Sequence, residues 1–175
     1  MSKLLPKFNF KTWIDDNRHL LKPPVGNKAV WQNQDYIVMV VGGPNTRKDY
    51  HVNHTPEFFY QVEGGITLKV MDEGEPKDVN IEEGEIYLLP AGIPHSPRRG
   101  PNTIGLVIEQ RRPEGMEDAL VYFCENCGTK MYEEAFTLQN IETDLPTIFD
   151  NFFGSKNTKC PNCGEIMERP SAPKV

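Results

Sequence analysis

Six short runs rich in Val, Ile, Phe and Tyr, each closed off by turn residues, constrain this chain more than any other feature. They occupy residues 29–32, 36–41, 57–62, 66–71, 85–89 and 104–109. Gly42-Gly43-Pro44, Gly64-Gly65, Asp72-Glu73-Gly74, Glu83-Gly84 and Arg99-Gly100-Pro101 punctuate them. β-Branched and aromatic side chains suit a pleated, half-buried surface, and Gly, Asp and Pro supply reversals, so this spacing predicts an all-β sandwich or barrel. No stretch between the runs carries the period of a crossover helix, which argues against parallel βαβ units.

The two ends differ from this middle. Phe10, Trp13, Ile14, Leu20 and Leu21 fall at helical spacing, Asn9 is a good N-cap and Pro23-Pro24 stops the run, predicting a helix over 10–21. Past Gln110-Arg111-Arg112-Pro113 the composition shifts, so residues 1–113 read as one unit with its leading helix and 114–175 as an extension packed on it. Within the extension, Leu145, Ile148, Phe149 and Phe152 share one face of a helix expected over 144–153, with Pro146 in its first turn and Gly154 ending it. The tail after Arg169, with Pro170 and Pro173, is expected to fray.

With 175 residues, the chain can bury a core without disulfides. A net charge of −6 lacks the footprint of a nucleic-acid binder. The longest apolar stretch, 36–41, is too short to cross a bilayer, and the start, MSKLLPKFNF, has no apolar core of signal length. A cytoplasmic protein is expected.

Two groups of residues carry metal chemistry. His51, Glu57 and His95 lie in the β-rich frame, and two imidazoles with one carboxylate on one face of a metal leave adjacent positions open, the arrangement suited to Fe(II) and O₂. The second group is Cys124-x-x-Cys127-Gly128 and Cys160-x-x-Cys163-Gly164. Each pair offers two thiolates from a tight turn, and together they predict a closed tetrahedral site for zinc or rubredoxin-type iron. Its expected role is to pin a small unit that cannot build its own core; electron transfer is the alternative.

Here the chain resembles a known family. Gly43, His51, Glu57 and Gly64 look like the first cupin motif, and Gly84-x5-Pro90-x-Gly92-x2-His95 matches the second. The likeness narrows at Val41-Gly-Gly-Pro-Asn-x-Arg47-x-Asp-Tyr-His51, Glu57-Phe-Phe-Tyr-Gln61, Leu88-Leu-Pro90, His95-Ser-Pro97 and Val107-Ile-Glu109. With the two cysteine pairs, these resemble the 3-hydroxyanthranilate 3,4-dioxygenase family from about residue 8 to residue 163. The resemblance implies a cupin (jelly-roll) β-barrel with an N-terminal helix and a small C-terminal four-cysteine unit.

Generic cupins place a second histidine two positions after the first, where this chain has Asn53. His54 is one residue further and would face the other side of its strand. It reads as an exposed loop residue, and His19 as structural.

The resemblance further implies an iron-dependent ring-opening enzyme that converts 3-hydroxyanthranilate and O₂ to 2-amino-3-carboxymuconate semialdehyde, the precursor of quinolinate and NAD. By resemblance Arg99 binds the substrate carboxylate, Arg47 positions O₂, Glu57 both ligates iron and contacts substrate, and Glu109 bonds the amino or hydroxyl group. Alternation points the competitor Arg98 away from Arg99. A salt bridge to Arg111 or Arg112 remains open for Glu109. The family also implies a homodimer. A different cupin dioxygenase and a ligand-sensing cupin are the rival readings.

Overall fold

Alternating burial marks the strands that form. In the run from Glu57 to Glu63, Glu57, Phe59 and Gln61 are buried while Phe58, Tyr60 and Val62 turn outward, the period-two pattern of a strand with one face on a core. The computed structural model describes residues 4–23, 26–31, 34–137 and 141–171, the last segment with side chains from 145 onward. Among them are eleven strands: β1 (Asn27–Trp31), β2 (Tyr36–Gly42), β3 (Tyr50–Val52), β4 (Glu57–Glu63), β5 (Ile66–Asp72), β6 (Glu75–Ile81), β7 (Ile86–Leu89), β8 (His95–Arg99), β9 (Ile104–Gln110), β10 (Asp118–Phe123) and β11 (Lys130–Phe136).

They build two antiparallel sheets, ordered β1-β2-β9-β4-β7 and β11-β10-β3-β8-β5-β6. Met39, Phe59, Leu89 and Val107 from the first sheet pack against Ile66, Leu68, Val70 and Ile81 from the second. The expected β-barrel therefore closes over one apolar core, with the site residues sharing its interior. Each buried Leu, Val or Phe contributes about 1.5–3 kcal/mol.

The leading helix α1 (Phe10–Asn17) starts as expected: the Asn9 side chain accepts a 3.0 Å hydrogen bond from the Thr12 amide. It ends earlier, passing into a 3₁₀ turn over Arg18–Leu20. Asn17 donates its amide to the Trp13 carbonyl at 2.7 Å, a local bond that competes with helix continuation. Ile14 and Leu21 seal one part of the first sheet's outer face, packing with Val40 and Ile104.

The composition shift at residue 113 does not coincide with a break in the sheet, because β10 pairs with β3 and β11 follows it. The second helix, α2, runs Ile141–Phe153, three residues earlier than expected. Pro146 is thus its sixth residue rather than part of its first turn. Ile148 and Phe152 are buried as expected, and Phe152 stacks on Tyr122 of β10 with ring centroids 3.7 Å apart. The Gly154 amide donates to the Asp150 carbonyl at 2.9 Å, where the helix ends.

Two polar links tie this region to the loop before β3. Lys48 pairs with Glu125 at 2.7 Å, and the Thr46 hydroxyl donates to the Ser171 carbonyl at 3.0 Å. Pro24, Gln32 and the tail beyond Ser171, Pro173 included, lie outside the described residues. No described helix is long and apolar enough to cross a membrane.

Candidate active site

Strand register brings the ligand candidates together. On the second sheet His51 of β3 lies directly opposite His95 of β8. On the first, Glu57 of β4 lies opposite Glu109 of β9. The facing sheets then converge these pairs, and one donor atom each from His51, Glu57 and His95 fall within 4.8 Å of one another.

The carbonyl of Ile93 lies 2.9 Å from His95 Nδ1, so Nδ1–H donates there and Nε2 faces the Glu57 carboxylate at 2.9 Å. Asn53, 1% exposed, fills the place of the second cupin histidine and offers its amide to Glu57 at 3.4 Å. Two imidazoles and one carboxylate, buried and drawn from three strands, suit a first-row transition metal better than the all-oxygen shells of Mg²⁺ or Ca²⁺.

The local field is strong because almost every charge is buried. Burial works against the Glu57 anion, but His95, His51 and Arg112 outweigh it and hold Glu57 below the usual carboxylate range. His95 moves oppositely: burial opposes its cation, and Glu57 lifts it above the ordinary imidazole value. Glu109 is pushed up, first by burial and then by the Glu57 charge across the strand pair, so it holds a proton more readily than a free carboxylate. Of the two salt-bridge partners open for Glu109, it is Arg112 that pairs with it, while Arg111 is exposed.

Arg47 is fixed against Asp49, which is 2% exposed. Arg98 donates to the Arg47 carbonyl from the other face of β8, as alternation requires. Arg99 is 3% exposed and bonds Gln61 through Nη1 at 3.1 Å, while its Nε and Nη2 have no partner among the described residues. Burial, with the Arg47 charge adding to it and Glu57 opposing it only in part, lowers the Arg99 pKa to about 10. Two unpartnered donors on a desolvated guanidinium suit an incoming carboxylate. Gly105 makes the room: a Cβ there would sit 2.5 Å from Gln61 Oε1 and 2.9 Å from Arg99 Nη1.

His51, Glu57, His95, Arg47, Arg99 and Glu109 all line one inner cavity of ≈50 Å³. Arg47, Arg99, Asn27 and Leu145 also line a wider one of ≈330 Å³, whose walls include Tyr122, Phe149 and Phe153. The wider chamber has the size of a single-ring ligand, and the inner one leads it to the His/Glu cluster.

The four cysteines form the second cluster, all sulfurs within 4.8 Å of one another. Cys124–Cys163 and Cys127–Cys160 sulfurs are 3.6 Å apart, close to the ~3.8 Å edge of a tetrahedron with ~2.3 Å metal–sulfur bonds. No cysteine is in a disulfide. The two turns match: Gly128 N–H donates to the Cys124 carbonyl at 2.9 Å and Gly164 N–H to the Cys160 carbonyl at 3.0 Å. Both glycines take positive φ, 70° and 79°, which other residues adopt at a cost. Hydrogen bonds from the Thr129 hydroxyl and amide lower the Cys127 thiol to about 6, favouring the thiolate that a metal takes.

His54 and His19 are exposed and belong to neither cluster. Sequence reasoning missed Asp49, Gln61, Gly105 and Asp118 as parts of the site and weighed Arg112 only as a partner for Glu109. Asp49 and Gln61 carried a signal, each lying within a family-like stretch beside a ligand candidate; Gly105 and Asp118 carried none.

A family profile described as 3-hydroxyanthranilic acid dioxygenase matches residues 2–153. A 3-hydroxyanthranilate 3,4-dioxygenase of Xanthomonas euvesicatoria is 49% identical over 168 residues, 95% of each chain. One of Ruegeria pomeroyi is 48% identical over 172 residues, covering 97% of this chain and 96% of the relative. Among solved structures, a cupin-2 domain protein of Shewanella frigidimarina aligns with a TM-score of 0.48 and 22% identity, over 59% of this chain and 94% of its own.

Proposed function

The chain belongs to the 3-hydroxyanthranilic acid dioxygenase family, and from that membership we propose that it is the Fe(II)-dependent enzyme that opens the ring of 3-hydroxyanthranilate. Both oxygen atoms of O₂ enter the product, 2-amino-3-carboxymuconate semialdehyde, which closes with loss of water to quinolinate and so feeds NAD synthesis. The observation that carries this reading is the meeting of a His51/Glu57/His95 donor set with the unpartnered donors of Arg99 in one cavity.

His51, Glu57 and His95 would hold the iron. Iron(II), when bound, supplies Lewis acidity for the adjacent hydroxyl and amino groups and a one-electron route for activating O₂. Arg99 receives the substrate carboxylate through Nε and Nη2, which orients the ring with its hydroxyl and amine toward the His/Glu cluster. Glu109, held ready to keep or give up a proton, takes the proton that the substrate hydroxyl loses. Arg47, braced by Asp49, places a positive charge where oxygen acquires negative charge. Phe149, Phe153 and Leu145, apolar walls of the wider cavity, exclude water from the reacting ring.

An aerobic assay of Fe(II)-loaded protein with 3-hydroxyanthranilate tests the reading, following oxygen uptake and semialdehyde absorbance together. One-to-one consumption and formation is expected. A folded, iron-loaded and silent protein would sink the substrate assignment.

Arg99→Ala is expected to raise KM by roughly 10- to 100-fold, because a charge-assisted carboxylate bond worth about 1.5–3 kcal/mol is lost. An analogue lacking the carboxylate should lose the same amount on wild-type enzyme and little more on the variant. Equal losses on both enzymes would remove Arg99 from carboxylate binding.

The homodimer belongs to the same proposal. Leu88, Phe58, Ile108 and Val38 align across four strands on the outer face of the first sheet, outside the cluster that Ile14 of α1 joins. Ile86 and Leu88 on the edge strand β7 are 66% and 61% exposed. Light scattering is expected to give a dimer for the wild type and a monomer for Ile86→Glu/Leu88→Glu; a monomeric wild type refutes this part.

A further inference from the structure

One buried acid in this interior touches a ligand candidate but has no place in the chemistry above. Asp118, at the start of β10, is 1% exposed, and its Oδ2 lies 2.8 Å from His51 Nε2. Pairing of β10 with β3 puts it there, since Leu120 faces His51 in register and Asp118 sits one inward position further along. Arg112 grips the same carboxylate, with Nε at 3.0 and 3.2 Å from its two oxygens and Nη2 at 2.8 Å from Oδ2. The other arm of Arg112 pairs with Glu109. A continuous buried chain thus runs His51–Asp118–Arg112–Glu109.

A carboxylate gripped by a guanidinium can only accept from the imidazole, so the proton of a neutral His51 ring sits on Nε2. The atom left with a free lone pair is Nδ1. His95 is arranged in the reverse sense, with Nδ1–H given to the Ile93 carbonyl and Nε2 facing Glu57. We propose that Asp118, held by Arg112, is the positioning residue that fixes His51 as its Nε2–H tautomer, so that His51 offers Nδ1 and His95 offers Nε2 to the metal. This rests on the reading of His51 as a ligand. Asp118 is not one of the three converging donors; it acts through the ring that it orients. Because Arg112 grips Asp118 and Glu109 together, the same strut sets the separation between a ligand and the proton-holding carboxylate.

The test uses the full chain, labelled with ¹⁵N-histidine and loaded with Zn(II) as a diamagnetic stand-in. The ¹⁵N shifts should report His51 with a protonated Nε2 and a metal-bound Nδ1, and His95 with the opposite arrangement. A metal-bound Nε2 on His51 overturns the proposal and leaves the ligand assignment intact. A protein that takes up zinc only at the cysteines overturns the ligand assignment and the proposal together.

Asp118→Asn supplies a second readout. Its His/Glu site should bind Zn(II) about 10- to 100-fold more weakly in chelator competition, with the four-cysteine metal retained. The merely structural alternative, a charge partner for Arg112, predicts a lower melting temperature with unchanged zinc affinity, and that result overturns the proposal. Should Asp118→Asn fail to fold, the wild-type spectra decide alone.

Discussion

Replacing His95 with alanine is expected to lower turnover by at least ~10³-fold, equivalent to about 4 kcal/mol of barrier. His95 sits across the barrel from Glu57, and its Nε2 approaches that carboxylate at 2.9 Å. Removing the ring takes away one of three donors and leaves Glu57, 5% exposed, without its nearest cation. An unpaired buried charge costs about 3–5 kcal/mol, so Glu57 should also bind a proton more readily and compete less well for metal. Elemental analysis of the variant should find the His/Glu site depleted of iron and the cysteine site still filled. If iron content and turnover both survive, the three-residue ligand set is wrong.

The second large effect concerns stability. Cys124→Ser is expected to release the four-cysteine metal and lower the melting temperature by roughly 6–20 °C, taking about 3–5 kcal/mol at about 2–4 °C per kcal/mol for a chain of this size. That is less than the ~10–16 kcal/mol of a free zinc module, because this region has its own small core of Tyr122, Phe152 and Met167. Burial pushes the Cys124 thiol up to about 11, so its deprotonation depends on the metal more than that of Cys127 does. Turnover per folded, iron-loaded molecule should change far less than the melting temperature. An unchanged melting temperature after metal loss would exclude a structural role and favour the electron-transfer alternative.

The barrel was legible because strands such as β5 carry apolar residues on the core face, here Ile66, Leu68 and Val70. Strands that serve the site break that rule. β8 reads His-Ser-Pro-Arg-Arg, polar but for Pro97, because its inward face is the site itself. β6 is an outer strand of the second sheet, and most of its residues are exposed, so it carries no core pattern. β3 has only three residues. β10 is apolar enough, but a short apolar run in a cysteine-rich tail has no periodicity to declare its partner. His51, Glu57 and His95 could be picked out because their residue types and spacing carry the chemistry. Asp118 could not, since its partner is 67 residues away and only sheet register brings them together. Gly105 likewise matters through what it leaves empty, which no residue pattern declares.

The place of β10 in the second sheet has a consequence for anyone cutting or recombining this gene. A truncation at residue 113, where composition changes, would strip β10 from β3 and leave the strand of His51 as an open edge. It would also delete Asp118 and the Phe149 and Phe153 walls of the outer cavity. The two sides of residue 113 therefore share one sheet. Chimeras between relatives should keep residues 50–123 from one parent, and cysteine-region swaps will succeed only where the β10–β3 pairing is preserved.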